Sequence, residues 1–227
     1  PGDGGGLKTA AAPFTFVGCV ELRQALDRQA LDERELMDRL EEVPAGAVFY
    51  HTHGYFLRHR PLTTAYGNDF ARWVAVEVRD QALAERLAVV DPFEFPDLEA
   101  LREELVTIIN DHLRRLSTVP RAEAGRAFHF QQSHIVQVAL GPQATTLAEF
   151  REGLASVDAS AIYFHMVEAR ARLGRRSGDF AEWLRTALGL PALADQVERL
   201  DGYMTSLERV RARLLSLIDE ALESQTV

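Results

Sequence analysis

Two short alternations, FTF at Phe14–Phe16 and FHFQQSHIVQV at Phe128–Val138, decide how the chain is read. Each puts apolar residues at every second position for a few residues, the period of a half-buried strand. Around them the spacing is helical. In Leu98–Leu116 the residues Leu98, Leu101, Leu105, Ile108, Ile109, Leu113 and Leu116 step by three and four, which draws one stripe along a long helix. Similar spacing predicts helices over about 32–43, 47–59, 69–78 and 81–90. The expected fold is therefore mainly α with at most a few short strands, the two alternations forming one small pairing.

The alternations also open two segments that align with each other. Phe14 to His51 lies on Phe128 to His165 at a constant offset of 114 without a gap: Phe14 and Phe16 on Phe128 and Phe130, Glu35 on Glu149, Leu40 on Leu154. Beyond His51 the offset falls to 110, which sets NDFARW (68–73) on GDFAEW (178–183), and later to 109, which sets Leu98 and Arg102 on Leu207 and Arg211. A period above 100 residues is too long for a solenoid. The sequence thus predicts a tandem duplicated helical domain with pseudo-two-fold symmetry: a flexible tail at 1–13, a first repeat at 14–116, a linker at 117–127 punctuated by Pro120 and Gly125, a second repeat at 128–222 and a tail at 223–227.

The string AVFYHTH followed by NDFARW and a Leu-rich closing helix resembles an uncharacterised prokaryotic family, a domain of unknown function with the pattern YHTH…NDFAxW. The resemblance covers 14–113 and, in a form where MVEARARL (166–173) replaces THGYFLRH (52–59), 128–222. That family has no established activity, so the resemblance implies a fold and no chemistry.

Composition narrows the classes. A formal charge of −9 opposes binding to nucleic acid or anionic membrane, because their phosphates would be repelled. Apolar runs are too short to span a bilayer, and a single cysteine, Cys19, precludes an internal disulfide; both fit a cytoplasmic protein. No GxxxxGK(S/T), GxSxG, HExxH or CxxC motif is present.

The alignment serves as an internal control on the histidines. His51 and His165, Asp69 and Asp179, Phe70 and Phe180, and Trp73 and Trp183 occur in both segments. The structural reading gives the aromatics to the core, the aspartates to helix capping, and each histidine to a polar clip against a carbonyl or that aspartate. The functional reading is an acid/base couple. His53 and His59 face Val167 and Leu173 in the alignment, so the fold does not need imidazole there. With His51 and Asp69 they form the candidate acid/base or metal set, suited to zinc, iron or manganese. One regular helix cannot converge all three, since His53 lies roughly 200° from His51, and no cofactor is called for. His112 reads as a satisfied histidine at the core edge, and Cys19 as a small buried residue.

Arg58, Arg60, Arg172, Arg175 and Arg176 lie between the histidine and the DFAxW string of each segment, as a solvated face or as forks for a phosphate or carboxylate. The expected function is a non-catalytic helical binding or accessory module for a protein partner or small anionic ligand, with self-association open to it. The alternative is a metal-assisted or acid/base enzyme built on His51, His53, His59 and Asp69.

Overall fold

The computed structural model describes residues 9–58, 66–170, 177–200 and 206–226. The first eight residues of the expected tail lie outside them, as do His59, Arg60, Arg172, Arg175 and Arg176. Two long strands, β1 (Thr9–Ala30) and β2 (Phe128–Thr146), pair in a two-stranded sheet. Side-chain hydrogen bonds of Gln143 to Thr15 and of Gln132 to Gln24 mark their antiparallel run.

The chain is therefore mixed α/β, and the expectation of a mainly α fold with a few short strands is corrected. The reason is physical. Burial alternates only near the strand starts, at Phe14 and Phe16 and at Phe128 and Phe130, whereas residues 22–25 and 136–139 are exposed one after another. A strand covered on neither face carries no period of two to read. Residues 9–13, read as tail, already belong to β1.

Two compact units result, one of residues 21–135 and one of residues 1–20 with 136–227. The first holds the end of β1, the start of β2 and helices α1 (Glu33–Glu42), α2 (Ala45–His51), α3 (His53–Arg58), α4 (Asp69–Trp73), α5 (Gln81–Ala88) and α6 (Leu98–Leu113). Side chains of Asp32, Asn68, Asp80 and Asp97 cap α1, α4, α5 and α6 by accepting backbone N–H bonds. The guanidinium of Arg102 on α6 closes the other end of α1, donating to the carbonyls of Leu40 at 2.6 Å and Val43 at 2.7 Å. Leu36, Leu40, Phe70, Leu83, Leu87, Leu101, Leu105, Ile109 and Phe130 fill its core.

The predicted helix over 47–59 is interrupted. Thr52 leaves helical geometry (φ −112°, ψ −82°) and its hydroxyl donates to Val48 O at 2.6 Å, which separates α2 from α3.

The other unit holds the start of β1, the end of β2 and α7 (Leu147–Ser156), α8 (Ala159–Tyr163), α9 (Asp179–Thr186), α10 (Pro191–Glu198) and α11 (Leu207–Thr226). Thr146 and Glu149 form a capping box on α7, as Asp32 and Glu35 satisfy the start of α1. Phe16 stacks on Phe150 with centroids 5.4 Å apart, and Phe14 packs edge-on to Trp183 at 5.5 Å.

The phenylalanines opening each aligned segment thus pack on helices of the other segment. Phe14 and Phe16 are buried beside Phe150, Phe180 and Trp183, and Phe128 and Phe130 beside Phe70. Trp73 Nε1 donates to Arg126 O and Trp183 Nε1 to Ala12 O, both at 2.8 Å, onto acceptors 114 residues apart. Among the described residues no helix is long and apolar enough to cross a membrane.

A Cβ added at Gly153 on α7 would overlap Cε2 of the Phe16 ring. Gly153→Ala should therefore destabilise by about 1–3 kcal/mol through overpacking, and Phe16→Leu in the same chain should return part of that loss. Urea denaturation of both single variants and the double tests it: strictly additive losses would mean that strand and helix do not meet there.

Candidate functional site

His51 ends α2, and Asp69 opens α4 just after the Asn68 cap; the capping role expected of Asp69 is thus held by its neighbour. This leaves the Asp69 carboxylate to face the ring, with Oδ2 lying 2.9 Å from His51 Nδ1. On the opposite side the Gln131 amide of β2 donates to His51 Nε2 at 3.0 Å. An amide only donates, so Nε2 accepts and Nδ1 carries the proton. His165 repeats the arrangement with Asp179 at 2.9 Å and the Val17 amide of β1 at 2.9 Å. Both imidazoles are buried, and both have each nitrogen engaged. The clip foreseen from the aligned histidines is present, with a strand amide as the partner on its second side. An acid/base catalyst needs a nitrogen open to substrate, and His51 offers none.

His53 lies elsewhere. It starts α3, stacks on Phe49 at 5.1 Å, meets the edge of Phe93 at 5.2 Å and has Thr52 Oγ1 3.2 Å from its Nδ1. Its environment is a buried aromatic slot, and His51, His53 and Asp69 do not converge as a metal-ligand group. Arg58 does not form an open anion fork. Its guanidinium sits 3.8 Å over the Tyr50 ring and bonds Asp69 Oδ2 at 2.5 Å, with Glu21 at 3.5 Å.

A group that the sequence reading did not assemble stands in the same unit. Glu33, the first residue of α1, Asp80, the cap of α5, and His112, in the last turn of α6, each bring a ligand atom within 4.8 Å of the others. His112 Nε2 lies 2.8 Å from Asp80 Oδ2 and 3.8 Å from Glu33 Oε2. Asp80 Oδ1 accepts from the Leu83 amide, so Oδ2 is the oxygen directed at the group. Glu33 is 0% exposed and no donor reaches either carboxyl oxygen. Burial, reinforced by the charge of Asp80, by the hydrogen bond that a protonated Glu33 makes to it and by the charge of Asp32, pushes its pKa up to about 8. Burial also pushes Asp80 up, but the Leu83 amide and His112 outweigh it and hold that carboxyl below its usual range. His112 is buried and hydrogen-bonded, as expected of a satisfied histidine at the core edge, and its partner is the Asp80 carboxylate. A signal was available: the residues aligned with Glu33, Asp80 and His112 are Leu147, Leu190 and Ala221.

The profile of a family described as "Family of unknown function (DUF5752)" matches residues 11–219. The chain belongs to this family. A similar solved structure, "The structure of OrfY from Thermoproteus tenax", is 29% identical, with a TM-score of 0.79 over 94% of this chain and 97% of that one. No curated protein matches the chain. The DUF5752 assignment agrees with the expectation of an uncharacterised family and leaves the chemistry to be argued from side chains.

Burial is the largest cause holding His51 below its ordinary pKa of 6.5; Arg58 adds to it, and Asp69 opposes it. The unfolded chain therefore takes up a proton near pH 6.5 that the folded chain refuses, so this contribution is full above that pH and is lost as pH falls below it. His51→Gln should be less stable than the parent at pH 8, with the gap narrowing towards pH 5. Urea midpoints across that range check the sign; a gap that widens on acidification would show that His51 is charged in the fold.

Proposed function

We propose that the chain is a tandem duplication serving as a non-catalytic binding module, and that its ligand is a protein partner seated on the β1–β2 ribbon at Val20, Val136 and Val138. One observation carries this reading. Val20 on β1 and Val136 and Val138, alternating on β2, belong to one unit and are three of the six large apolar side chains that stand exposed among the described residues, at 51%, 44% and 39%. Alternating exposed aliphatics on a strand leave apolar surface in water that a partner would remove at roughly 25 cal/mol per Å². The closed histidines agree with it, since the couple found in both segments is used as structure.

The duplication rests on matched geometry as well as on alignment. Paired histidines, aspartates, tryptophans and strand amides make the same bonds at positions related by the sequence offsets. A small anionic ligand is less favoured, because Arg58 is spent on Asp69 and Glu21. The metal-assisted alternative on His51, His53, His59 and Asp69 loses its geometry at His53.

A photo-reactive residue placed at position 136, irradiated in cells of the source organism, should trap one discrete adduct. The Val20→Thr/Val138→Thr variant should lose that adduct with its melting temperature within a few degrees of the parent. An adduct formed with a second copy of the chain would identify self-association as the interaction. No adduct, or one unaffected by the double substitution, sinks the reading.

A further inference from the structure

The geometry points to a divalent transition-metal site formed by Glu33, Asp80 and His112. This is independent of the ribbon and of the histidine couple described above. Three observations carry it. The first is convergence: one imidazole nitrogen and two carboxylate oxygens come from three different helix ends and lie within 4.8 Å of one another. Ligands about 2.1 Å from one tetrahedral ion stand about 3.4 Å apart, so the carboxylates must close in by at most about 1.4 Å when the ion binds.

The second is Glu33 itself, fully buried, with no donor reaching either oxygen and one oxygen turned into the group. Burying such a carboxyl costs several kcal/mol unless a cation or proton compensates it. The third is the contrast with the aligned residues. Leu147 opens α7 as Glu33 opens α1, Leu190 stands before α10 where Asp80 stands before α5, without a side-chain cap, and Ala221 takes the place of His112 on the closing helix. The same local architecture forms around leucine and alanine, so packing does not require the polar set.

The donor set selects the ion. One nitrogen and two oxygens suit Zn²⁺, Mn²⁺, Fe²⁺ or Co²⁺, while Ca²⁺ asks for six to eight oxygens. His112 would ligate through Nε2, shifting its proton to Nδ1, and Asp80 through Oδ2 while Oδ1 keeps capping α5. Three protein ligands leave a transition metal at least one position for water or a ligand.

The competing occupant is a proton on Glu33, shared with Asp80, and the experiment separates the two. Chain purified without a histidine tag and stripped with chelator is titrated with Zn²⁺, Mn²⁺ and Co²⁺ by calorimetry. Saturable binding of one ion per chain is expected for at least one of them. His112→Ala, copying the aligned residue, and Asp80→Asn, which keeps the cap, should each abolish it while circular dichroism stays unchanged. His53→Ala should retain it. If the parent binds none of the three ions in stoichiometric amount, or if binding survives in both site variants, the group is a protonated polar cluster and the proposal falls.

Discussion

A neutral imidazole held between a carboxylate and a strand amide is the constraint on which the rest of the structure depends. The amide of Gln131 or Val17 supplies a proton that only an unprotonated Nε2 accepts, and Asp69 or Asp179 takes the one on Nδ1. That fixes the tautomer, and through it the register of strand against helix, since a slip by one residue turns the amide away. Each bond contributes about 1 kcal/mol net, and more where the acceptor is charged. Its loss is costlier, because a buried nitrogen would be left without a partner. Phe14 and Phe128 pack 4.8 and 4.7 Å from the two rings and help to bury them.

This arrangement explains why the units in space differ from the aligned segments in sequence. Each strand begins among the helices that follow the other strand, so the segment 14–51 never closes on its own opening phenylalanines. Alignment shows which positions are equivalent. It contains nothing about which strand meets which helices, because both pairings bury the same residue types.

Parts of this were legible in advance and others were not, for definite reasons. The histidine clip could be read because His51, Asp69 and Trp73 each have a counterpart. The long helices α6 and α11 could be read because one face is buried along their length. The strands were underestimated because the ribbon is solvated in its middle, where Leu22, Arg23, Gln24 and Ala25 are all exposed. Among the candidate site residues, His53 looked free because Val167 aligns with it, yet it fills an aromatic slot, which an apolar residue also suits. The Glu33 group was hidden by separation in sequence: its members sit 47 and 32 positions apart and converge only through packing of α1, α5 and α6. A search for polar residues aligned with apolar ones, extended beyond histidine, would have found all three.

The central claim is the crossed pairing of strand amides and imidazoles, and scalar coupling across N–H···N hydrogen bonds reports it directly. In uniformly ¹⁵N-labelled protein, coupling is predicted between the Val17 amide and His165 Nε2 and between the Gln131 amide and His51 Nε2, with both rings protonated on Nδ1. Coupling of Val17 to His51 and of Gln131 to His165, or rings protonated on Nε2 with no amide coupling, would contradict the account.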